Sequence, residues 1–251
     1  MISTLLTTLL HRPYVFIFLI SFLIIGFLNR GFGRTLLFLT LGFSIAYLSE
    51  YSSIRNGFPY GMYHYRYEAM NGELMIGGVP VWDSLSYSFL AYASYEMASF
   101  FRCCENPTWS LPVSASILMV MMDIVADPLA VRGARWFLGD IFYYPQGGDY
   151  FGVPLTNFAG WLLVALCIFS SYHYFEQKLF ASPPPLRRPA LGPQFYWGIL
   201  AFNFLITFWI GEWKLGVVGL GMHLLSLGVL KLFAKGKNKF SKPIQTGSDS
   251  L

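Results

Sequence analysis

Seven apolar stretches, each close to the length that crosses a bilayer as a helix, limit this chain to a membrane fold. They run over Pro13–Leu28, Arg34–Ser49, Val81–Phe101, Trp109–Leu129, Val153–Phe175, Gln194–Ile210 and Leu215–Phe233. The hydrocarbon core is about 30 Å thick and takes about 17–25 helical residues. Inside it, backbone polar groups must be satisfied within the protein, which helices do by themselves. The expected fold is all-α: a polytopic bundle of seven transmembrane helices, the second and sixth extending into their flanks. Only 12% of the residues are charged and the mean hydropathy is +0.50, whereas a soluble domain carries about 25% charge. No small-residue cleavage site follows the run from Tyr14 to Leu28, so it reads as a span and not as a secretory signal.

Residues 1–235 form one transmembrane domain, and the polar residues 236–251 read as a disordered tail. Ser182–Pro193, with its P-P-P and R-R-P, is an extended loop. Glu212 and Lys214 make the tight turn between the last two spans. The net charge of +4 is concentrated in Lys231, Lys235, Lys237, Lys239 and Lys242, a pattern that suits anionic lipid and not nucleic acid. Cys103 and Cys104 are adjacent and Cys167 is alone, so neither a disulfide framework nor a C-x-x-C metal site is expected.

Topology turns the acids into a group. With the C-terminal tail cytoplasmic, as in an inner-membrane protein, eleven of the 17 basic residues fall on the cytoplasmic side and six on the other, the sense of the positive-inside rule. The loops after the second and fourth spans then share the outer face. Glu50 ends the second span, Asp83 opens the third, Asp123 and Asp127 sit in the last two turns of the fourth, and Asn157 begins the fifth. Acids at membrane depth are expensive and mark functional sites. Pro128 predicts that the fourth helix ends or kinks at Asp127.

Asp123 and Asp127 are four apart and share a helix face. Two neighbouring carboxyls in a poorly hydrated place do not readily both ionise, so one is held as the neutral acid and is available for general acid catalysis. The structural alternative pairs Asp127 with Arg132 or Arg135 and makes Asp123 a loop cap. A hard cation held by the two aspartates and Glu50 is a third reading; no metal is assigned. Arg55, Tyr60, Tyr63 and His64 make the loop after Glu50 more polar than an interfacial aromatic belt. Trp82, Tyr150, Phe151 and Trp161 lie beside the acids and are candidates for a cavity wall. Ser84, Ser88, Tyr92, Glu96 and Ser99 form one polar face of the third span, expected to face the bundle interior.

The paired segments E-Y-S-S-I-R-N-G-F-P-Y-G-M-Y-H-Y with G-G-V-P, and D-I-V-A-D-P with Y-F-G-V-P-L-T-N-F-A-G-W, resemble the integral-membrane carotenoid biosynthesis family, which includes carotenoid 1,2-hydratases and bisanhydrobacterioruberin hydratases. The resemblance spans Ser49 to Leu163. It implies water addition across a terminal isoprenoid C=C of an acyclic C40 or C50 carotenoid lying in the bilayer, with no redox cofactor, and association with other enzymes of that pathway. The residues suit such chemistry. Asp123 with Asp127 would be the acid, and Glu50 would position water or steady the cation. Arg55, Tyr60, Tyr63, His64, Trp82, Asp83, Tyr150, Asn157 and Trp161 would bind substrate. Ring faces of Tyr63, Trp82 or Tyr150 would contribute cation–π stabilisation of about 2 kcal/mol when desolvated.

Two rival readings remain at this point. One is a metal-dependent transferase acting on polyisoprenoids, which would need a second Asp-rich motif and a basic diphosphate cradle. The other is a carotenoid- or lipid-binding membrane protein without catalysis.

Overall fold

A computed structural model describes residues 2–101 and 110–240. Arg102, Cys103, Cys104 and the tail from Ser241, Lys242 included, lie outside the described residues. Among the described residues there are eight α-helices: α1 (Ile2–His11), α2 (Pro13–Asn29), α3 (Phe32–Asn56), α4 (Val81–Phe101), α5 (Ser110–Ala130), α6 (Leu155–Leu179), α7 (Leu191–Trp209) and α8 (Trp213–Phe240). The helices α2 to α8 fall on the seven apolar stretches in order. Four two-residue strands complete the fold: β1 (His64–Tyr65), β2 (Met75–Ile76), β3 (Val79–Pro80) and β4 (Phe142–Tyr143). The fold is therefore all-α. Among the described residues three helices, α3, α5 and α6, are long and apolar enough on their own to cross a membrane, and α1 with α2 makes a fourth if that bent pair is one span.

α4 is the axis of the bundle. It packs against α2, α3, α5 and α7, and every residue from Tyr87 to Ala98 is buried. A helix buried all round needs an interior position. The carboxylate of its polar face is satisfied there: Arg30 Nε donates to Glu96 Oε1 at 2.7 Å and Asn29 Nδ2 to Oε2 at 3.2 Å. Small residues let the neighbours close in. A Cβ on Gly42 of α3 would stand 3.2 Å from the Ser88 Cα of α4. Outward positions such as Ile17, Leu205 and Trp209 are 62–70% exposed, as lipid-facing residues are.

α1 is absent from the seven stretches. It is ten residues long and meets α2 at 93°. Pro13 causes the break, because the residue before a proline avoids the helical region; Arg12 has φ −121° and ψ 46°. α1 lies over the loop between β1 and α4, where the Leu74 amide donates to Thr8 Oγ1 at 2.7 Å. At this elbow Arg12 Nη2 is 2.9 Å from Glu73 Oε1, both side chains buried. Trp82 Nε1 donates to Glu73 Oε2 at 2.6 Å, and Arg12 Nη1 to the Leu138 carbonyl at 2.5 Å.

The second span extends into its flanks as expected, but two expectations about helix ends are corrected. Glu50 does not end α3, which continues six residues to Asn56, where Gly57, with φ +81°, supplies the left-handed cap. α5 does not stop at Asp127 but runs through Pro128 to Ala130. The proline removes one N–H bond, and the tight burial of Pro128 and Leu129 outweighs that loss only half a turn from the helix end.

Candidate functional site

α3 and α4 bring the first acid into place. Glu50 is 2% exposed; its Oε2 accepts from Ser84 Oγ at 2.9 Å, while Oε1 has no protein partner among the described residues. α5 and α6 bring the second pair. The Asn157 carboxamide donates one hydrogen to Asp123 Oδ2 at 2.9 Å and the other to Asp127 Oδ2 at 2.7 Å. Glu50, Asp83 and Asp127 lie within electrostatic reach of one another.

Glu50, Asp83, Asp127 and Asn157 line one cavity of about 160 Å³. Asp123 sits one turn deeper, fully buried, outside the lining and joined to it through Asn157; its Oδ1 is also unpartnered. The proposed pairing of Asp127 with Arg132 or Arg135 does not occur. Arg132 Nε is 3.0 Å from Glu212, and Arg135 binds the same carboxylate. The two arginines thus clamp the α7–α8 turn. Glu212's partial burial acts the other way, but the hydrogen bonds and charges of Arg132 and Arg135 hold its carboxyl below the usual range.

Of the aromatic candidates, Tyr60, Tyr63, Trp82 and Trp161 line the cavity. Tyr60 is fixed by a 2.8 Å contact with Ser49 Oγ. Since Ser49 gives its own proton to the Ala46 carbonyl, Tyr60 is the donor. Gly160 allows this loop to press onto α6, for a Cβ there would meet the Pro59 carbonyl at 2.7 Å. Trp161 stacks on Tyr87 with centroids 4.2 Å apart and approaches Asp127. Tyr65 donates to Asp83 Oδ2 at 2.6 Å, and its hydroxyl is 3.4 Å from that of Tyr63. Burial pushes the phenols of Tyr60, Tyr63, Tyr65 and Tyr144 well above the usual tyrosine range, so they act as neutral hydroxyls.

Arg55, His64, Tyr150 and Phe151 are placed elsewhere. β1 pairs with β4, His64 facing Tyr143 and Tyr65 facing Phe142. Side chains alternate along a strand: Tyr63, Tyr65, Phe142 and Tyr144 turn inward, while His64 and Tyr143 turn out. Arg55 is exposed and lies over the Tyr51 ring at 3.5 Å, donating to the Gly77 carbonyl. Tyr150 packs on Phe151 and Phe158, with its hydroxyl at Met222 Sδ. Among residues not singled out from the sequence, Tyr65, Tyr87 and Tyr144 line the cavity. The alternation of Y-H-Y with F-Y-Y was the available signal for Tyr65 and Tyr144. Among the described residues no three of His, Cys, Asp and Glu are grouped to hold a metal ion.

The cavity thus joins acids, an amide and phenols to ring faces. Such a chamber can protonate an apolar substrate and steady a positive charge in it. Over residues 11–226 the chain matches the sequence profile of the family described as carotenoid biosynthesis protein. It is 31% identical over 147 residues to the bisanhydrobacterioruberin hydratase of Haloarcula japonica. The aligned part is 56% of this chain and 45% of that protein, so it spans about half the length of this relative. No solved structure matches the chain.

Proposed function

The chain belongs to the carotenoid biosynthesis protein family, and from that premise we propose that it is a membrane-embedded hydratase of acyclic carotenoids. The observation that carries this reading is the meeting of Glu50, Asp83 and Asp127 with the Trp161–Tyr87 stack around one cavity. Asp127 gives its proton to the less substituted carbon of the terminal C=C, leaving a tertiary cation. Water held at the unpartnered Glu50 Oε1 adds to that cation, and the proton it sheds passes to Glu50 or back to Asp127. The sum is one alkene and one water giving one tertiary alcohol. Asp123 is a positioning residue that keeps Asn157, and through it Asp127, in place. Aromatic faces stabilise the cation, each by about 2 kcal/mol in a dry site.

In this reading all seven long helices, α2 to α8, cross the bilayer with the C-terminal end cytoplasmic, as the bias of basic residues indicates. Expression in cells that accumulate lycopene tests the reaction: a product heavier by one water supports it, and unchanged lycopene removes it. A chelator-sensitive reaction that needs a diphosphate donor would favour a transferase instead. A variant Asp127→Asn that keeps full function would favour a carrier.

A further inference from the structure

The cavity is too small for the substrate it is proposed to serve. At about 160 Å³ it matches the ~150 Å³ cavity that accepts a benzene ring, room for about one isoprenoid terminus. The remaining carbons of a C40 chain must run out of the protein. The lining shows where. Glu50, Tyr60, Asn157 and Trp161, from α3, α6 and the loop before α4, are buried. Tyr14 and Phe18 of α2 and Phe202 and Asn203 of α7 also line the cavity and keep partial exposure, as do Asp83, Ser86, Ala126, Asp127, Ala130 and Trp136; what sets α2 and α7 apart is the lipid-like surface beside them. One helical step away the surface is lipid-like, with Ile17 62% and Leu205 70% exposed.

Between the cavity and that surface stand side chains. The Phe202 ring lies 5.7 Å from Tyr14, stacked, and 5.4 Å from Phe18, edge-on, by ring centroids. We infer that α2 and α7 frame a lateral gate, with Phe202, Tyr14 and Phe18 as its movable rings, through which the polyene tail leaves the cavity for the bilayer while its terminus sits at the acids. The gate selects for ring-free chains, because a cyclic end group is too bulky to pass between the three aromatic rings. This rests on the hydratase reading for its substrate class but not for its geometry.

The test compares lycopene with 2-methylpent-2-ene, a six-carbon stand-in for its terminus that needs no gate. In Phe202→Trp the ratio of lycopene to short-alkene hydration falls, by about 10-fold or more for discrimination by pocket shape. Phe202→Ala leaves the ratio equal or raises it, and Leu205→Trp, on the outer face of α7, leaves it unmoved. A ratio unaltered by Phe202→Trp, or lowered equally by Leu205→Trp, overturns the gate. Binding separates the two ideas: the shift of the lycopene absorption band on mixing with purified protein is lost in Phe202→Trp if the gate is real. If the unaltered protein hydrates neither compound but Phe202→Trp alone abolishes the shift, the gate stands and the hydratase reading falls. If Phe202→Trp binds lycopene as well as the unaltered protein does, the gate falls whatever the reaction.

Discussion

Asn157 and Asp127 are joined by a 2.7 Å hydrogen bond across the α5–α6 interface, and the same carboxamide nitrogen reaches Asp123 at 2.9 Å. A general acid is worth about 10²–10⁴-fold in rate, so Asp127→Asn should cut lycopene hydration by that factor. Asn157→Leu preserves side-chain volume but removes both donated hydrogens. Misplacement of a reacting group by an ångström costs about 10²-fold, and Asn157→Leu should show that loss in kcat with little change in KM. Turnover by either variant at the full rate would take the pair out of the reaction.

The Ser84–Glu50 bond predicts a graded effect. Ser84→Ala deprives a buried carboxyl of its donor, a loss of about 1.5–3 kcal/mol where the acceptor is charged. Glu50→Gln keeps the hydrogen bond and removes the basic oxygen. Hydration should therefore fall further in Glu50→Gln than in Ser84→Ala, whereas thermal unfolding in detergent should fall further in Ser84→Ala. The opposite ranking in both measurements would show Glu50 to be structural.

Arg12 and Glu73 form a buried ion pair beside the cavity. Removing one partner of such a pair costs about 3–5 kcal/mol, and replacing both with apolar residues can be close to neutral. Arg12→Leu and Glu73→Leu should each lower the midpoint of thermal unfolding more than the double variant does. Equal or additive losses in a double-mutant cycle would contradict the coupling.

Glu212 supplies a pH signature. Its carboxyl is held below its ordinary value of 4.5, so the clamp's contribution is fully present above that pH and is lost as pH falls through the lowered value. Glu212→Gln should be less stable than the unaltered protein at pH 7, and the difference should shrink on acidification below pH 4.5. A gap that stays constant with pH would mean that Arg132 and Arg135 do not act through charge.

The long helices were legible because lipid imposes a composition that few other environments demand, and α2 to α8 lie on the apolar runs. That Glu50, Asp83 and Asp127 meet was an expectation drawn from the order of the apolar runs, and the three line one cavity. What stayed hidden was short or set by tertiary context. α1 is too brief to register as a span, and two-residue strands carry too little periodicity to have separated Tyr65 from His64. Arg12 and Glu73 are 61 positions apart, and each reads singly as a loop charge. Pro128 followed a local rule that tertiary packing overrode.

The right-angled junction at Arg12 makes α1 a roof. No residue of Ile2–His11 lines the cavity, yet Thr8 grips the loop that carries Glu73, and Glu73 grips Trp82. A purification handle or reporter fused ahead of Ile2 would pull on that ceiling, and a change in the cavity of such a fusion would originate outside its walls.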